Sequence, residues 1–129
     1  MPAVSSGPTH RIFAWSGFTN GEGSILDATK VGDNVTYTVN IAAAATYDVK
    51  VGVKKINTRG IWQLSVNGKN LGPTEDEFVA TAPVFAEYDL GTVTISASGN
   101  STFKFTIVGR NASSSGYTEA FDYIKLTPQ

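Results

Sequence analysis

The sequence predicts an all-β fold, a sandwich or barrel of short antiparallel strands. Three observations carry this. From residue 34 onward, apolar and polar residues alternate with a period of two, the mark of strands with one buried face. The alternating runs are rich in Val, Ile, Thr, Tyr and Phe, which suit a pleated, half-buried surface. Turn dipeptides separate them, Asn67-Gly68 and Gly99-Asn100 among them, and no window shows a helical period.

The elements follow in order. In Asn34–Ile41, Val35, Tyr37, Val39 and Ile41 share one face, and Asn34, Thr36, Thr38 and Asn40 share the other. Ala42 to Ala45 would suit a helix, but four residues between strands cannot sustain one. Residues 46–54 put Tyr47, Val49, Val51 and Val53 on one face, and Ile61–Val66 does the same with Trp62, Leu64 and Val66. Residues 92–98 and 102–108 repeat the pattern, with Val93, Ile95 and Ala97, then Phe103, Phe105 and Ile107. Residues 120–127 make the last strand, expected to lie beside 102–108. The opening residues 1–8 are small, flexible and uncharged, and read as a linker or expression scar before one domain over 9–129.

Strand direction locates the long connections. If the end where residue 34 enters its strand is the top, residues 29–34, 55–60 and 109–119 all fall there. Long connections gathered at one end of a sandwich are where binding residues concentrate.

Composition narrows the function. The 129 residues carry 41% hydrophobic and 16% charged side chains, enough for one packed core. A formal charge of −1 gives no global field for nucleic acid or an anionic membrane. With no cysteine, disulfides, thiolate metal sites and a Cys nucleophile are excluded. The single histidine, His10, sits in the N-terminal segment, and no Gly-x-Ser-x-Gly, His-Glu-x-x-His, P-loop or Gly-x-Gly-x-x-Gly pattern occurs. The one acidic cluster, Glu75-Asp76-Glu77, reads as a solvated loop beside Pro73. These three with Asp27, Glu119 and Asp122 are hard oxygen donors, without EF-hand spacing. Asp122 stands inside an apolar stretch and needs a partner, either hydrogen-bond donors or a cation.

Two Trp, five Tyr and seven Phe supply ring surface. Trp62, Tyr37, Tyr47, Phe103 and Phe105 are in phase with the core. Trp15, Phe18 and Tyr117 fall outside every strand pattern. Tyr117 follows Ser113-Ser114-Ser115-Gly116 in a top connection, where its ring either packs on its own loop or offers a stacking face to a sugar. Asn57, Arg59, Arg110, Asn111 and Glu119 share those connections, with Lys54 and Lys55 beside them. Ligand is therefore expected at the top on Tyr117, with Arg59, Asn57, Asn111 and Glu119 as polar contacts. Arg110 or Lys55 would contribute if the sugar is acidic.

Four motifs in order resemble a known family. Gly32-Asp33-Asn34-Val35-Thr36-Tyr37-Thr38-Val39-Asn40-Ile41, with Ala45-Thr46-Tyr47-Asp48-Val49, resembles the GDWIEYTVNVPAAGTYTV stretch of family 6 carbohydrate-binding modules and their family 35 relatives. Trp62 to Gly68 is similar to their xFxLxVDG strand and turn. Leu90 to Ile95, then Phe103 to Phe105, resembles their LGTVTLSAGTHTLKL hairpin, and Phe121 to Leu126 their closing NIDYIxL. Together they span about residues 32–127.

The resemblance implies a jelly-roll β-sandwich and a non-catalytic module that keeps a polysaccharide-degrading enzyme near its substrate. It implies a secreted, monomeric module of a larger protein, with a polysaccharide and a parent catalytic domain as partners, and neither nucleic acid nor membrane. Ala120 stands where the family has the Asn of its site, and Asn34 where it has an aromatic. Phe13-Ala14-Trp15 replaces the acidic N-terminal motif of the family's structural Ca²⁺ site, leaving Asp122 alone matching it. The Lys54 to Arg59 stretch and the Gly116-Tyr117-Thr118 loop resemble a divergent subgroup associated with microbial or acidic polysaccharides such as xanthan. Two other classes stay open: a protein-binding or adhesion sandwich, and a small glycan-active enzyme with two acids facing one cleft.

Overall fold

The computed structural model describes residues 3–5, 10–14, 17–19 and 21–129, with no side-chain description for 3–5, 10 and 12–14. Among the described residues ten strands form: β1 (Ala3–Ser5), β2 (His10–Ala14), β3 (Glu22–Leu26), β4 (Asn34–Ile41), β5 (Ala45–Lys55), β6 (Ile61–Val66), β7 (Lys69–Asp76), β8 (Val84–Ile95), β9 (Gly99–Gly109) and β10 (Glu119–Pro128). They make two five-stranded sheets, β1-β4-β9-β6-β7 and β2-β3-β10-β5-β8. Every pairing between these strands is antiparallel. This is the all-β sandwich expected, with β4 and β6 bounded as the alternation placed them.

The core lies between the sheets. Val35, Tyr37, Leu64, Phe103, Phe105 and Ile107 come from one sheet, and Leu26, Val49, Val51, Val53 and Phe121 from the other. Trp62 is fully buried among them, edge-on to Phe105 at 4.9 Å. The aromatics assigned to the core by alternation are all buried.

Four features depart from the expectation. The last strand does not lie beside β9. It pairs with β3 and β5 in the opposite sheet, because alternation fixes the face of a strand but not its neighbour. Since β5 runs up, β10 still runs down, so residues 109–119 remain at the top. Glu75-Asp76-Glu77 is not a solvated loop: Glu75 and Asp76 end β7, and Glu77 is 0% exposed. Pro73 is tolerated there because β7 is an edge strand. Next, β8 begins at Val84, well before residue 92. Gly91, at φ 94°, sits at a bulge where the register with β5 shifts, so Ala86, Tyr88 and Leu90 face inward before it and Val93 and Ile95 after it. Finally, Phe18 is only 2% exposed, edge-on to Phe85 at 5.2 Å. Trp15 lies outside the described residues. Within the expected linker, Ala3–Ser5 pairs with β4 as an edge strand.

Candidate functional site at the loop end

Two of the top connections are stitched together by hydrogen bonds. The Thr118 amide donates to the Thr58 carbonyl at 3.2 Å, the Gly60 amide to Thr118 at 3.0 Å and the Ser115 amide to Asn57 at 3.1 Å. The Ser114 hydroxyl, buried, donates to the Arg59 carbonyl at 2.6 Å. Gly116 lies over the Thr58 carbonyl, where a Cβ would stand 3.1 Å from that oxygen. On the other side of residues 56–60, the Val79 amide donates to Ile56 at 3.2 Å and the Glu77 amide to Gly60 at 3.2 Å. Residues 77–79 thus take the third place in the layer. Residues 29–33 instead dock on β9, where the Gly32 amide donates to Ile107 at 2.9 Å. Asp33 closes that turn by accepting from the Thr29 amide at 2.9 Å and from Lys30 Nζ at 3.1 Å.

Beneath this layer is a buried ionic cluster. Arg59 is 3% exposed; its Nε donates to the Lys54 carbonyl at 3.0 Å and a terminal nitrogen to Thr118 Oγ1 at 2.8 Å. Arg59 Nε stands 3.8 Å from Glu77 Oε1. Glu77 also accepts from Trp62 Nε1 at 2.6 Å and from the Ala120 amide at 3.1 Å. Glu119, 0% exposed, has its carboxyl beside that of Glu77, without a well-formed hydrogen bond to either of its oxygens. Burial pushes Glu77 up to about 7, against the pull of Glu119 and Arg59. Burial and then the Glu77 charge raise Glu119 well above the usual carboxylate range. Two buried carboxyls side by side disfavour ionising both, and Arg59 stands beside the pair with the opposite charge.

Arg59 and Glu119, expected to reach a sugar, are therefore walled in under the loops. A polar residue in a connection reads as exposed, but here Arg59 bridges to Thr118 and Glu119 is already the first residue of β10. The other expected site residues are at or near the surface. Tyr117 is half-buried, packed on the core cluster, with the Arg110 guanidinium 5.3 Å from its ring centre. Arg110 also donates to the Ser114 carbonyl at 3.1 Å. Asn57 is exposed and its carbonyl anchors Ser115. Asn111 Nδ2 donates to Asp76 Oδ2 at 3.2 Å, while its Oδ1 accepts from the Ser113 amide at 2.9 Å. Lys55 instead has its Nζ over the Tyr88 ring, 6.0 Å from the ring centre. Thr58, Ser114 and Thr118, which hold the site together, carried no sequence signal beyond their place in the top loops.

Asp122 has the donors that its setting demands. It accepts from the Thr19 amide at 2.9 Å and the Thr19 hydroxyl at 2.7 Å. Among the described residues, no three His, Asp or Glu side chains gather where they could hold a metal ion.

No protein-family description and no curated protein matches the chain. Solved structures do. A Paenibacillus xanthan lyase superposes with a TM-score of 0.89 at 30% identity over 95% of this chain, which spans 12% of the lyase. A family 35 carbohydrate-binding module from an environmental isolate matches at 0.67 and 16% identity, over 100% of this chain and 94% of the module. The CBM36-1 domain of a multidomain xylanase from the hindgut metagenome of Trinervitermes trinervoides matches at 0.58 and 19%, over 99% of this chain and 98% of the domain. The chain has the β-sandwich fold of the carbohydrate-binding modules.

Proposed function

We propose that this chain is a non-catalytic carbohydrate-binding module that holds a linked polysaccharide-degrading enzyme on its substrate, an acidic polysaccharide of the xanthan type. The observation that carries the reading is the pair at the loop end: the ring of Tyr117 and the guanidinium of Arg110 above it, on a layer fixed by Ser114 and Thr118. A planar cation carried on an aromatic ring suits a sugar that bears a carboxylate, with the guanidinium fork for the carboxylate. Asn57 is exposed in the same layer and offers its amide to hydroxyls, while Asn111, next to Arg110 in the chain, has its amide engaged by Asp76 and Ser113. The likeness to part of a xanthan lyase supports the same substrate class. The shifted pair Glu77 and Glu119 does not argue for catalysis, because no substrate reaches carboxyls with no exposed surface. On this reading the module is monomeric, secreted as part of a larger protein, and acts by raising the local concentration of the attached enzyme at the polymer.

The test is affinity electrophoresis of the domain in gels containing xanthan, alginate or neutral glucomannan, with product release assayed in parallel. Retardation by an acidic polymer and no release of reducing ends or unsaturated uronate is the expected result. Migration unchanged in every gel, or product release lost on mutating a carboxylate, overturns the reading.

A further inference from the structure

The opposite end of the sandwich carries a groove of about 640 Å³ between the edges of the two sheets, where the ends of β6 and β8 meet the start of β9. The volume falls within the range of small-ligand sites. We infer that this groove is a second carbohydrate site, for a neutral oligosaccharide segment, and that it binds independently of the loop end. The inference goes beyond the proposed function and does not need it.

The lining gives the chemistry. Carboxamides come from Asn67, Asn70 and Asn100, and hydroxyls from Thr92, Ser96 and Ser98. Each such group both donates and accepts, as sugar hydroxyls do. Val66, Leu71, Val93 and Ile95 add apolar surface for the C–H face of a ring. Among the described residues Lys69 is the one charged side chain in the lining, and with so little charge the groove's recognition rests on its neutral hydrogen-bonding groups. Among the described residues no aromatic ring lines the groove, so hydrogen bonding dominates and a Kd on the order of millimolar is expected.

Part of the lining is set before any ligand arrives. Asn67, at φ 50°, is clamped to β9: its Oδ1 accepts from the Thr102 amide at 2.9 Å and its Nδ2 donates to Ser101 Oγ at 3.2 Å. The Asn100 Oδ1 accepts from Asn40 Nδ2 at 3.3 Å, which orients the rest of that amide. Asn70, Thr92, Ser96 and Ser98 make no side-chain hydrogen bond among the described residues, so their capacity is open to a ligand. A strand as long as β9, 11 residues, separates the groove from Tyr117 by roughly 35 Å. One short oligosaccharide cannot span both, whereas a polymer can engage both and gain from the linkage.

Titration of the labelled domain with cellotetraose, mannotetraose and xylotetraose, followed by amide NMR, tests this. At least one should give saturating shifts at Asn67, Asn70, Ser96 and Asn100. Asn70→Ala should weaken that binding about five- to tenfold with the spectrum otherwise intact. Thr92→Tyr, which fills the groove from an exposed position, should abolish it. Tyr117→Ala should leave these shifts unchanged, which separates failure here from failure at the loop end. No groove shifts with any probe up to about 10 mM, or shifts that survive both groove variants, overturns the inference.

Discussion

Ser114 donates its hydroxyl to the carbonyl of Arg59 at 2.6 Å, and both residues are buried. The bond joins the segment that carries Tyr117 to the segment over the ionic cluster. Ser114→Ala leaves that carbonyl without its donor in a dry site, at a cost of about 1–3 kcal/mol. The melting temperature should fall by roughly 5 to 10 °C. Because the loop pair is the clamp for Tyr117, polysaccharide affinity should fall further than Ser115→Ala makes it fall. Calorimetric melting and gel retardation of the two variants, side by side, check this.

The cluster also predicts how stability follows pH. Glu77 and Glu119 both have folded pKa values above their unfolded ones, so the native state holds protons that the unfolded chain releases. Their contribution is full below about 4.5, the unfolded value, and is lost as pH rises; for Glu77 the loss runs to about 7. Asp33, whose donors Thr29 and Lys30 outweigh the burial that opposes them, moves downward and weakens the fold only in stronger acid. The melting temperature should therefore decline as pH rises from about 4.5 through 7. Glu119→Gln, which keeps the shape and removes one ionisation, should flatten that decline. An unchanged slope in the variant would show that the pair is not its source.

How much of this was legible follows from what alternation encodes. It reports which face of a strand is buried, so β4, β6 and the burial of Trp62 were readable. It does not report neighbours, so the pairing of β10 with β3 and β5 was not. Gly91 resets the phase of β8 and hid its first half. In β7, Gly72 (φ 74°) and Pro73 look like a turn, but Gln63 Nε2 donates to the Leu71 and Gly72 carbonyls at 3.2 and 3.1 Å and supplies bonds where the ladder breaks. At the loop end, strand direction located the connections, while the depth of each side chain within them depended on partners distant in sequence. Arg59 and Glu119 went under for that reason, to meet Glu77.

Asp122 predicts indifference to calcium. Its carboxylate is occupied by both donors of Thr19, which ties residues 17–19 to the last strand. A chelator should leave the melting temperature within a degree or so, since an ion that bound tightly would add stability through its own equilibrium. Asp122→Ala should lower it in chelator and in calcium alike. A large drop on chelation, restored by calcium alone, would mean that a cation and not Thr19 is the partner that matters.

The last prediction concerns the ring and the cation at the loop end. Tyr117 is packed on the core and carries the Arg110 guanidinium over its ring, so its loss removes both the support of that cation and part of the loop floor. Tyr117→Ala should cut affinity for an acidic polysaccharide at least fivefold. Arg110 is exposed, and its field reaches only about 10 Å at 0.1 M salt. Arg110→Ala should therefore weaken binding to an acidic polymer at low salt, and the difference from wild type should shrink as salt is added. Binding to a neutral polymer should hardly change. Arg110→Lys separates charge from geometry: it keeps the cation but loses the planar fork that stacks on Tyr117 and pairs with a carboxylate. Retention of the salt-dependent part with loss of the salt-independent part is the expected result, read by isothermal calorimetry at two ionic strengths. If Lys restores everything, Arg110 acts as a point charge and the stacked pair has no part in recognition.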